Sequence, residues 1–192
     1  MGSMDFRDVE RAVAVMLGVL GPHRKADWSV QAGSLEWDCL ATAAHVAHDL
    51  LAYAGQVAAR PADAYLPFDL AIRPQAGPRE VLSVVEACGS LLAGALAAAD
   101  PQMRAWHWGP CDVSGFAAMG VAETLLHTHD ITQGLAVPWL PPAALSAAVL
   151  RRLFPDAPSG EPARVLLWRT GRGDLAGRSR VDSWRWKAAL SG

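Results

Sequence analysis

Hydrophobic positions recur at helical spacing through most of this chain. Phe6, Val9, Val13, Leu17 and Leu20 form one stripe of a segment from Asp5 to Leu20, and Gly21-Pro22 ends it. After a loop through Trp28 and Gly33, Ser34 stands as the N-cap of a second helix, Leu35 to Arg60, closed by Pro61. Ala62 to Gly77 holds Pro67, Pro74 and Gly77 and reads as a long loop. Pro78 suits the first turn of a third helix reaching about Ala99, where Asp100-Pro101 breaks it. Trp106 to Pro110 reads as a loop. Asp112 or Ser114 then caps a fourth helix ending at Gly134, and Pro141-Pro142 opens a shorter fifth that stops before Pro155. Beyond it, the apolar run Val165-Leu166-Leu167-Trp168, the glycines Gly171, Gly173 and Gly177, and the alternation Trp184-Arg185-Trp186 predict one or two strands or an extended wrap. The expected fold is all-α: a four-helix bundle over residues 1–155 with a fifth short helix, and a short C-terminal extended or β tail, residues 156–192, packed on it.

The fourth helix departs from a simple core pattern. At about 100° per residue, Phe116, Met119, Gly120, Glu123, His127 and Asp130 share one arc, and its apolar members turn that arc inward. Its other face, with Ala118, Val121, Leu125 and Thr128, is hardly more polar, so protein is expected on most sides. Glu123 and His127 converge at i and i+4, and Asp130 follows one turn on. A buried carboxylate beside a buried imidazole needs partners. A divalent metal would satisfy both, and so would a plain hydrogen-bonded Glu–His pair. A third ligand is sought on the second helix, where His45, His48 and Asp49 cluster. His48 lies inside the apolar stripe of Trp37, Leu40, Ala44 and Leu51, with His45 at its edge, so periodicity favours His48. Either could equally be a hydrogen-bonded core histidine. His23 and His107 lie in loops without a helical partner, and His129 points away from Glu123 and His127.

Composition narrows the classes. The 192 residues suit one domain, and 52% apolar with 19% charged residues can build a substantial core. A net charge of -2 argues against a generic grip on nucleic acid or anionic lipid. The apolar stretch Ala87 to Ala99 is interrupted by Gly89, Ser90 and Gly94 and is short for a bilayer. No charged segment followed by an apolar one opens the chain, so no secretion signal is expected, and Met1-Gly2-Ser3 ahead of Met4 reads as an appended leader. Cys39, Cys88 and Cys111 are odd in number and lack CxxC spacing, which argues against a disulfide framework and a thiolate zinc site and fits a cytoplasmic protein. Lys25 and Lys187 are the only lysines, while Arg, Ala, Gly and Pro abound, a bias of G/C-rich bacterial genomes.

The stretch from Trp37 to His45-Val46-Ala47, and Glu123-Thr-Leu-Leu-His127-Thr-His-Asp130, resemble the DinB-like helical bundle family. The closer likeness is to its actinobacterial branch, typified by the N-terminal domain of mycothiol-dependent maleylpyruvate isomerase. Leu166-Leu167-Trp168, Thr170-Gly171-Arg172 and Trp184-Arg185-Trp186 resemble members of the same group. The resemblance implies a divalent metal, zinc or another such as nickel, on His45, Glu123 and His127. Here it prefers His45 over His48. Asp130 would orient His127 or hold an outer water or substrate group. Three protein ligands leave one coordination position open. A low-molecular-weight thiol there, mycothiol by the resemblance, would attack a small electrophile in an isomerase or S-transferase reaction. Water there would instead make a hydrolase or lyase, with Asp130 as general base. A non-catalytic metal-binding module, with the fourth helix in a dimer interface, is the third class. The typifying isomerase has a further C-terminal domain, whereas about forty residues follow the fifth helix here, so maleylpyruvate itself is not the expected substrate. Arg73 and Arg79 are the candidate anion partners. The expected partners are thus a thiol and an electrophile, without nucleic acid or membrane, in a monomer or homodimer.

Overall fold

Among the described residues, 3–190, this computed structural model forms six α-helices and one two-stranded ribbon. Met1 and Gly2, which belong to the segment read above as a leader, lie outside that range. The helices are α1 (Phe6–Leu20), α2 (Cys39–Ala59), α3 (Pro78–Ala98), α4 (Val113–Gly134), α5 (Ala143–Leu153) and α6 (Pro162–Arg169). Strands β1 (Ala105–Trp106) and β2 (Pro110–Cys111) pair antiparallel. The all-α bundle read from the periodicity is therefore the fold.

Every residue of α4 from Gly115 to Thr132 is buried. Gly115, Ala117, Ala118, Gly120 and Ala122 let its neighbours come close. A Cβ on Gly120 would sit 2.7 Å from Leu92 Cδ2 of α3. Around α4 stand α1, α2, α3 and α5. α3 is 21 residues long and, with a mean hydropathy of 1.9, apolar enough by length and composition to cross a membrane. The interrupted stretch from Ala87 understated it. Here Val81, Val85, Leu92 and Leu96 of α3 enter the bundle core as in any core helix.

Three local expectations are corrected. α2 starts at Cys39, and its N-cap is Asp38, whose carboxylate accepts from Ala41 N–H at 2.7 Å. Residues 30–38 fold back on themselves instead, with Ala32 N–H on Trp37 O and Cys39 N–H on Val30 O, both 2.9 Å. Ser34 lies at the turn of that loop and caps nothing. The segment 106–110 is the closing loop of the ribbon, with Trp106 paired to Pro110 and residues 107–109 between them. Val165–Trp168 is helical within α6, because Glu161 caps it, Pro162 occupies its first turn and Gly171 ends it. The rest of the described tail is irregular, with a turn closed by Arg178 N–H on Leu175 O at 3.0 Å. It is pinned by Lys187 N–H on Leu153 O (2.8 Å), Leu190 N–H on Pro110 O (2.8 Å) and Arg152, which donates to Lys187 O (3.0 Å), Ala188 O (2.7 Å) and Asp112 (2.8 Å).

The 30–38 loop leans on the end of α4 at Gly134. A Cβ there would collide with the Gln31 carbonyl and lie 2.7 Å from Cys39 Sγ. Gly134→Ala is expected to lower stability by about 2 kcal/mol, the scale of overpacking a tight contact, as read from urea denaturation.

Candidate metal centre

α2 and α4 run antiparallel, since Cys39 Sγ meets Ile131 O at one end and the Tyr53 ring packs on Phe116 at the other. His45, Asp49 and Tyr53 stand one turn apart on α2, as Glu123 and His127 do on α4, so the two rows face each other. Tyr53 donates its hydroxyl to Glu123 Oε1 at 3.3 Å. The His45 and His127 rings meet edge-on with centroids 5.1 Å apart. One nitrogen from each histidine and a Glu123 oxygen all lie within 4.8 Å of one another. Glu123 and His127 are buried, and His45 is half-buried beneath the indole of Trp37, whose centroid is 4.7 Å away.

Behind the triad runs a chain of charge. His127 Nδ1–H donates to Asp130 Oδ2 at 3.0 Å, which turns Nε2 toward Glu123 Oε2 at 3.2 Å. Asp130 in turn receives Arg172 through Nε (2.9 and 3.1 Å) and a terminal nitrogen (2.9 Å). Arg172 owes its position to the end of α6. Gly171, at φ 72°, closes the helix in a Schellman turn with Arg172 N–H on Leu167 O at 2.7 Å. A Cβ at Gly171 would lie 2.8 Å from Val181 O.

The ionisation pattern follows from this packing. Burial alone would lower the His127 imidazole, but its hydrogen bonds to Asp130 and Glu123 and their charges raise it to about 9. Burial pushes Asp49 up to about 9, helped by the Glu123 charge and by its hydrogen bond to Glu123. Burial would also raise Glu123, yet the hydrogen bond and charge of His127, with His45, hold it below the usual range. Asp130 likewise ends below its usual range, because His127 and Arg172 outweigh burial. His45 is lowered, chiefly by burial, and so favours the neutral, lone-pair-bearing form.

Two imidazoles and a carboxylate converging in the interior, with the outer nitrogen of one imidazole fixed by a carboxylate, form a donor set suited to a divalent cation. The triad is compatible with such an ion. His48 is not among the converging groups. Its Nδ1 accepts Leu70 N–H at 3.1 Å and ties down the 62–77 loop. His129 lies buried with Nδ1 unpartnered among the described residues. Arg73 and Arg79 are exposed and enter no ion pair among those residues. The cation that reaches the cluster is Arg172, for which periodicity offered no signal. Tyr53 could have been found, since it repeats the i+4 step that leads from His45 to Asp49. His107 could not, because its partners come from distant segments: the Tyr65 hydroxyl on Nδ1 and Trp186 Nε1–H donating to Nε2 at 3.2 Å. Its ring lies 6.2 Å from that of Tyr53.

A family model described as the mycothiol maleylpyruvate isomerase N-terminal domain matches residues 9–132, a span that includes all three converging residues. No curated protein and no solved structure matches the chain.

Burial lowers His107 from 6.5 to about 4. The folded state therefore favours the neutral ring. Its contribution is complete above pH 6.5, falls as pH drops toward 4, and is on the order of 3 kcal/mol. Urea titrations between these pH values should show stability falling more steeply in the wild type than in His107→Gln.

Proposed function

Because the chain belongs to the mycothiol maleylpyruvate isomerase N-terminal domain family, we propose that it is a metal-dependent enzyme that uses a low-molecular-weight thiol, mycothiol, against a small electrophile. The reaction is an S-transfer or a thiol-assisted isomerisation. The observation that carries this reading is the convergence of His45, Glu123 and His127 within 4.8 Å. These three residues would hold the ion, with zinc the best match to two nitrogens and one oxygen. When bound, such an ion lowers the pKa of a thiol, near 8.5 when free, and supplies a nucleophile at neutral pH.

The chain's own groups have distinct tasks in this scheme. Asp130 is a positioning residue. Both of its oxygens are engaged by His127 and Arg172, so it fixes the imidazole and is not free to act as a general base. Tyr53 holds Oε1 of Glu123 and leaves Oε2 toward His127. Trp37 covers His45 and limits water on that side. Asp49, 3.2 Å from His45 and hydrogen-bonded to Glu123, ties the α2 ligand to the α4 carboxylate.

Elemental analysis of the purified protein should find one divalent ion per chain. His127→Ala should lose it while staying folded. Asp130→Asn should weaken metal affinity about 10- to 100-fold, as loss of an outer partner does, read by competition with a chromogenic chelator. Zinc-loaded protein should consume monochlorobimane faster with mycothiol than the uncatalysed mixture does, and the metal-free protein should not. Turnover independent of the thiol would overturn the proposal in favour of hydrolysis.

A further inference from the structure

Beside His107 lies a cavity of about 720 Å³, lined by His107, Trp108 and the segment Trp184 to Leu190. That volume suits a small-molecule ligand. Its two walls differ in kind. Trp108 stands at the tip of the β1–β2 ribbon, 80% exposed, with a left-handed backbone at φ 54°. A bulky side chain is strained in that conformation, and a wide apolar surface left in water adds a second cost. Neither is offset by burial in the fold, since the indole touches little beyond Trp106, 5.0 Å away. The opposite wall is rigid. Arg152, Leu153 and Pro110 hold the backbone from Lys187 to Leu190 by hydrogen bonds, and the rings of Trp184 and Trp186 stand 5.6 Å apart.

The charge of the cavity has one sign. Arg185 and Lys187 line it, both are exposed, and neither has an ion-pair partner among the described residues. No acidic side chain lines it. His107 adds no charge, because its Nε2 accepts the Trp186 Nε1–H and so carries no proton. Aromatic faces offer stacking surface to a flat π system, and unpaired cations offer charge-assisted hydrogen bonds to a carboxylate.

We propose that this cavity binds a small planar anion, an aromatic carboxylate, with its ring against Trp108 and its charge on Arg185 and Lys187. Nothing in the cavity depends on an ion at His45, Glu123 and His127, so the inference stands apart from the metal reading.

The test is calorimetric titration of the full chain with naphthoate and with its neutral counterpart naphthalenemethanol, with and without zinc. Naphthoate should bind at one site per chain under both conditions, and naphthalenemethanol about tenfold more weakly. Arg185→Gln with Lys187→Gln should weaken naphthoate about tenfold and bring the two probes level. Trp108→Ala should weaken both about fivefold. All three side chains are exposed, so these variants should keep the wild-type circular dichroism. Equal binding of the two probes to the wild type, naphthoate binding indifferent to the double substitution, or no saturable binding at millimolar naphthoate would each overturn the proposal. Naphthoate binding by a chain that takes up no metal would refute the metal reading and leave this one intact.

Discussion

A helix enclosed on every side carries Glu123, His127 and Asp130, and the rest of the molecule is arranged around that constraint. Charges taken from water into a bundle need partners with good geometry, or they destabilise the fold by several kcal/mol each. α2 meets the need from one side with His45, Asp49 and Tyr53. The residue after α6 meets it from another, with Arg172 on Asp130. The result is a relay of alternating acids and bases, Arg172–Asp130–His127–Glu123–Tyr53, spanning the bundle interior. A divalent ion is compatible with it in place of the proton between His127 Nε2 and Glu123, at the point where two imidazoles and a carboxylate already face one another.

The α4 part of this relay was legible in the sequence. Three polar residues on an arc with Phe116 and Met119 can only be buried together, because helical geometry fixes which residues share a face. The α2 part was half legible. Periodicity chose His48 because it lies in the stripe of Leu40, Ala44 and Leu51. His48 itself is covered by the 62–77 loop, whose Leu70 N–H bonds to it. An apolar face thus reports coverage by protein without saying whether a loop or another helix does the covering. The family motif chose His45, the residue that meets His127.

The features that stayed hidden depend on contacts between distant segments. Trp106 to Pro110 holds two adjacent turn-forming residues and no alternating pattern, and its ribbon is only two pairs long. α6 had readable stop and start signals, with Glu161-Pro162 before it and Gly171 after it. The eight-residue length of the helix and its run of four apolar residues imitated a buried strand. Nothing local marks Arg172 as the residue that would reach Asp130, 42 positions away.

That separation bears on how the protein can be divided. The family match ends at residue 132 and the first five helices end at Leu153, yet the guanidinium that neutralises Asp130 arrives from Arg172. A fragment cut at either boundary keeps the interior carboxylate and discards its countercharge. The bundle is therefore not electrostatically self-sufficient. The chain from α6 to Arg172 acts as an integral stopper, and any excised core would have to take up a proton or admit water where the arginine had been.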